Sequence, residues 1–189
     1  MYIVKKSLTV LAIGMFAAAL PLQAQGWKQV EFSLGGGVGV PAGDFDDGFK
    51  VGWHGLAAVS YTLPNAPFAL QVDGAFSRFK DEAAGLNLKD NVIYGTGNVL
   101  YQIKISEMAR FLPYLIGGGG VYNIDPTGRD AAGLDSQTEF GLNLGAGVTV
   151  DAGRVNLFVE SRFHNVFDGM GTSDLQFNNF TAGLRFGPQ

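Results

Sequence analysis

Between Thr138 and His164, apolar and polar side chains alternate through two segments joined by Asp151-Ala152-Gly153-Arg154, and no other feature limits the possible fold as strongly. In the first segment Phe140, Leu142, Leu144, Ala146, Val148 and Val150 share one parity, while Glu139, Gly141, Asn143, Gly145, Gly147 and Thr149 share the other. In the second, Leu157, Val159, Ser161 and Phe163 alternate with Asn156, Phe158, Glu160, Arg162 and His164. Successive strand side chains point to opposite faces, so the stretch reads as a β-hairpin with one greasy face and one small, polar or charged face. The arms run to about fourteen and ten residues. An ordinary strand has about five or six, and a tilted strand needs about nine to eleven to cross a bilayer. Length and pattern together favour a membrane barrel with lipid outside and a polar lumen.

The rest of the chain repeats this signature. Alternating segments are expected at Glu31 to Val40, Lys50 to Tyr61, Phe68 to Phe79, Asn91 to Lys104, Leu112 to Ile124 and Leu175 to Phe186, which with the hairpin make eight. Trp53, Val59 and Tyr61 are expected outward with His54 and Ser60 inward; Asp73, mid-strand, should face the lumen because a charge facing lipid is costly. The segment from Leu112 contains Gly117 to Gly120; Tyr114, Ile116 and Tyr122 are placed outward there. The connections alternate long and short: Pro41 to Phe49, Lys80 to Asp90, Asp125 to Gln137 and Asn165 to Asp174 are long, and Leu63 to Pro67, Ser106 to Phe111 and Asp151 to Arg154 are short. Barrels of the outer membrane have short periplasmic turns and longer external loops, so both termini are expected in the periplasm. The fold class is therefore all-β: an eight-stranded antiparallel up-and-down transmembrane β-barrel, in which an even strand number lets the first strand pair with the last.

Residues 1–24 read as a cleavable signal peptide, with Lys5 and Lys6, an apolar run from Leu8 to Leu20, then Pro21 and Ala24; residues 25–189 would form the barrel domain. The run is too short to span a bilayer as a helix. Removing these residues takes away two lysines and no acid, moving the formal charge from -4 to -6, and leaves no basic surface of the kind nucleic acid requires. Cysteine is absent, so disulfides, zinc-thiolate sites and cysteine nucleophiles are excluded.

Taken whole, residues 25–189 resemble the small eight-stranded outer-membrane β-barrel family related to OmpA and OmpX. The segments that carry the resemblance are Phe158-Val159-Glu160-Ser161-Arg162-Phe163-His164 and the closing Gly183-Leu184-Arg185-Phe186. It implies a bacterial outer-membrane location, contact with outer-membrane lipid and lipopolysaccharide, and recognition by the barrel assembly machinery through a terminal aromatic, here Phe186. It further implies an envelope-structural role, or one of presenting external loops to an extracellular ligand whose identity is unknown. The other readings are a small porin-like channel and a lipid A-modifying barrel enzyme.

Chemistry-bearing residues concentrate on one face. Glu160, Arg162 and His164 alternate along one strand, and Glu31, Asp73, Glu139 and Arg185 are placed to join them in a lumenal polar network. An eight-stranded barrel is just wide enough for side chains to fill, so interior charges must pair. A deacylase-like site would use His164 as general base with a nearby serine and an orienting acid; His164 is followed by Asn165 and Val166, and the expected His-x-Ser spacing is missing. Asp44, Asp46 and Asp47 do not follow calcium-loop spacing, and the two histidines carry no ligand pattern. No catalytic residue, metal or cofactor is expected.

Overall fold

The computed structural model describes residues 29–43, 49–81, 88–103, 105, 110–128, 136–153, 155–167 and 174–187. The expected signal segment, Lys104 and the aspartates of the first long connection lie outside them. The described chain forms a closed antiparallel barrel of eight strands, β1 (Val30–Ala42), β2 (Phe49–Thr62), β3 (Phe68–Asp81), β4 (Leu88–Gln102), β5 (Phe111–Gly128), β6 (Gln137–Asp151), β7 (Asn156–Val166) and β8 (Leu175–Phe186). Each strand pairs with its neighbour in sequence, and β1 pairs with β8 from Phe32 opposite Phe186 to Ala42 opposite Gln176. Every strand thus has two hydrogen-bonded neighbours, which a sheet in lipid requires because no water is present to satisfy an open edge.

The alternation seen in the sequence becomes the wall. Val72, Leu144 and Val159 stand 63%, 69% and 62% exposed on the outside, while Asp73, Asn143 and Glu160 are buried within. Two turns at one end are set by local chemistry. Between β6 and β7, Gly153 takes φ +89°, and its N–H donates to Asp151 Oδ1 at 2.8 Å. Between β2 and β3, the N–H of Leu63 donates to the carbonyl of Phe68 at 2.9 Å.

Strand β5 faces the opposite way from the sequence expectation. Tyr114, Ile116 and Tyr122 are 2%, 1% and 0% exposed and point into the lumen, whereas Leu115 and Val121 face outward. The reason lies on β6, whose inward parity is rich in glycine: a Cβ at Gly147 would run into the Tyr114 ring, and one at Gly141 into the Tyr122 ring. Large side chains on β5 fill the space that small residues on β6 leave, as a close-packed interior demands.

The strands also reach further than expected at the end away from the tight turns. β3 runs to Asp81, β4 starts at Leu88 and β5 continues through Asp125 and Pro126 to Gly128, so much of the expected loops Lys80 to Asp90 and Asp125 to Gln137 is strand. Pro41, expected to end the first strand, lies within β1. The connection 103–110 is as long as 129–136, so length alone does not separate the two ends of the barrel.

Candidate functional site: the lumenal network

The middle of the lumen is built around one acid and one base from opposite sides of the barrel. Arg162 on β7 donates from Nη1 to Asp73 Oδ2 on β3 at 2.7 Å, and from Nε to Glu160 Oε1 at 2.9 Å. Its Nη2 lies 2.6 Å from the same Glu160 oxygen. Asp73 also accepts from Gln71 Nε2 at 3.0 Å, Asn98 Nδ2 at 2.9 Å and Thr96 Oγ1 at 2.6 Å. Glu160 accepts the Tyr114 hydroxyl at 2.9 Å. Asp73, Glu160 and Arg162 are each at least 97% buried, and one guanidinium between two carboxylates, with neutral donors on the remaining oxygens, is how buried charge is made tolerable.

On either side of this layer the lumen is closed by rings. Toward the end opposite the tight turns, His164 stacks on Phe177 with centroids 4.7 Å apart, Tyr94 stacks on Tyr122 at 4.9 Å, and Phe79 meets Phe177 at 5.5 Å. Toward the turns, the Arg185 guanidinium lies 5.2 Å from the centroids of both Tyr114 and Phe158, while donating to Ser33 Oγ and Thr149 Oγ1. The space left between His54, Tyr94, Arg162 and His164 is about 10 Å³, room for a single water molecule.

Of the residues expected from the sequence to share this network, Asp73, Glu160 and Arg162 are joined directly. Arg185 reaches it through the Tyr114 ring, and His164 sits in the adjoining ring layer. Glu31 and Glu139 stand apart. Both are half-buried near strand ends, opposite Ser60 and Tyr122, and no hydrogen bond or ion pair among the described residues ties either to the network. His164 Nδ1 is 2.9 Å from the Tyr122 hydroxyl, and no serine or carboxylate among the described residues is hydrogen-bonded to the imidazole, so the arrangement a hydrolytic triad needs is not assembled around it. His54 Nε2 is 2.9 Å from Thr181 Oγ1. The sequence reading missed Tyr114 as a partner of Glu160 because it placed β5 with the wrong parity. The signal available was the glycine alternation on β6, which calls for bulk from a neighbouring strand.

Fold and lumen together define a class: an eight-stranded transmembrane barrel with a filled interior. The chain belongs to the Outer membrane protein beta-barrel domain family, which matches residues 8–186, and it is a bacterial outer-membrane protein. Solved structures agree in fold. Neisserial surface protein A is 15% identical with a TM-score of 0.65, covering 84% of this chain and 96% of that one. A major outer membrane protein of Thermus thermophilus is 13% identical with a TM-score of 0.53, covering 83% and 98%. Ail, the attachment invasion locus protein of Yersinia pestis, is 16% identical with a TM-score of 0.51, covering 84% and 99%. No curated protein sequence matches.

Proposed function

We propose that this protein is a non-conducting, non-enzymatic outer-membrane barrel whose wall is a rigid support and whose connections at the end away from both termini face outward to meet a binding partner. The observation that carries this reading is the filled lumen. With Arg162 spanning the interior to Asp73 and ring stacks adjoining it, the cavity between His54, Tyr94, Arg162 and His164 has room for one water molecule, which at that level of the lumen suits neither a hydrated ion path nor a substrate pocket. A channel reading needs free bore. A lipid A-modifying reading needs His164 turned to the lipid with a hydroxyl nucleophile beside it, and it is buried on the other face against Tyr122. Activity that cannot be inside must be on the surface, and binding residues concentrate on loops held by a rigid scaffold. The Yersinia barrel is named for attachment; its likeness here is of fold, and the reading rests on the lumen.

The proposed orientation is supported by the tight turns at Leu63–Pro67 and 152–155, which share an end with the strand termini near Val30 and Phe186 and are of the short kind that faces the periplasm in such barrels. Phe186, exposed at the end of β8, is the residue this reading offers to the assembly machinery. The test uses single cysteines in a chain that has none. A membrane-impermeant maleimide should label Ala132→Cys on intact cells and Ala152→Cys only after the outer membrane is opened. Labelling of Ala152→Cys alone on intact cells would reverse the orientation and overturn the proposal.

A further inference from the structure

On the outer wall of β2, β3 and β4, at the end opposite the tight turns, the register sets three lysines side by side. Lys50 is directly opposite Lys80, and Lys80 is directly opposite Lys89. A bulge makes this possible: the β2–β3 register shifts between Lys50 and Trp53, so that Lys50 joins the outward parity of Val51 and Trp53 instead of the lumenal one. Lys80 is outward because Ser77 and Phe79, of the other parity, are fully buried in the lumen. Like charges directly opposite on neighbouring strands repel, and none of the three forms a hydrogen bond or ion pair through its side chain among the described residues. Asp90, beside Lys89 in sequence and opposite the lumenal Phe79, is buried, and Asp125 lies opposite Asn91, two residues along from the lysine row.

That row is of a different kind. Arg78 stands opposite Trp53, places its guanidinium 5.5 Å from the Phe76 ring centroid, and is fixed by donation from Nε to Asn91 Oδ1 at 2.6 Å. Trp53 and Phe76 pack at 5.3 Å. Aromatic residues of this sort mark the boundary of the hydrocarbon layer, and the lysine row lies two residues further along the strands, about 7 Å beyond it. The far side of the same rim, on β7 and β8, is neutral or acidic and self-satisfied: Asn165 bonds Asp174 and Gln176, and Asn178 bonds Ser161. Among the described residues, outward cations at this end are confined to the β2–β4 sector.

We propose that Lys50, Lys80 and Lys89, backed by Arg78, form a binding site for the phosphate of an outer-leaflet lipid, the phosphorylated glycolipid lipid A, whose acyl chains lie below on Trp53, Phe76 and Ile93. Charge complementarity selects the phosphate, and the row's height just beyond the aromatic boundary selects a lipid headgroup over a soluble anion. The site deepens the outward orientation proposed above and rests on it; binding measured in detergent does not depend on orientation, so failure of the cysteine labelling and failure of the site are separable.

The experiment titrates the purified folded full chain in detergent with bisphosphorylated lipid A, with dephosphorylated lipid A and with inorganic phosphate, reading bound lipid by native mass spectrometry. The triple variant Lys50→Gln, Lys80→Gln, Lys89→Gln should lose about tenfold or more in affinity for the phosphorylated lipid while binding the dephosphorylated lipid as the native chain does. Arg110→Gln, at the opposite end, should bind like the native chain, and Lys80→Gln alone should show a smaller loss of the same kind if the triple variant does not fold. An unchanged affinity in a folded variant would overturn the site, and would mean that the lysines are neutralised within the chain. Equal binding of phosphorylated and dephosphorylated lipid by the native chain would overturn it too, as would displacement of the lipid by inorganic phosphate at the lipid's own concentration.

Discussion

Asp73 receives four side-chain donors and, among the described residues, is the only carboxylate that ties Arg162 to the other side of the barrel. Asp73→Asn keeps the shape but leaves Arg162 with Glu160 alone, and removing one partner of a buried pair costs about 3 to 5 kcal/mol when no water replaces it. The urea midpoint of the refolded barrel in lipid vesicles should fall accordingly. The double variant Asp73→Asn, Arg162→Met should cost less than the sum of the single changes, since the second removes the charge that the first stranded; strict additivity would show that the two are uncoupled. Tyr114→Phe removes a hydroxyl from a charged acceptor and should cost about 1.5 to 3 kcal/mol in the same measurement. That Glu160 and Arg162 would lie together was readable from their spacing of two on one strand. Their tie to Asp73 was not, because pairing across a lumen depends on barrel closure and register, which alternation does not encode.

At the scale of the strand, β5 and β2 show where parity can be read and where it fails. In β6 and β7 the outward parity is apolar apart from Thr138, Ser161 and Asn165, so a slip by one residue would turn those apolar side chains from lipid into the lumen and the charges of β7 toward lipid, and the facing is unambiguous. In β5, four consecutive glycines erase the contrast between faces, and Tyr114 and Tyr122 suit an interface as well as a packed lumen. Their true direction is fixed by β6, where Gly141 and Gly147 leave room for rings. A polarity-sensitive bimane on Val121→Cys should be quenched by brominated lipid, and the same probe on Tyr122→Cys, where a large lumenal side chain is removed, should not; quenching at both would contradict the facing. Leu144→Arg, central and outward on β6, should cost about 2 to 4 kcal/mol in unfolding free energy. In β2 the failure was different: one extra residue at the bulge reverses the facing of Lys50, and Lys80 and Lys89 sit in strand extensions that composition marked as loop.

For the molecule as a whole, closure and filling are separate properties, and the sequence spoke clearly about only the first. Eight alternating segments were enough to fix the architecture, and the polar lumen expected from them proved to be part aromatic, with Phe79, Tyr94, Tyr122, Phe158 and Phe177 buried inside. A closed barrel with every strand paired should resist detergent and migrate differently on a gel before and after boiling. The filled lumen is tested most directly by conductance. The purified full chain, inserted into a planar bilayer with its fold verified by that gel shift, should give no steady ion current above the bare membrane. A stable, ohmic single-channel conductance would show that the lumen is open and would contradict the account at its centre.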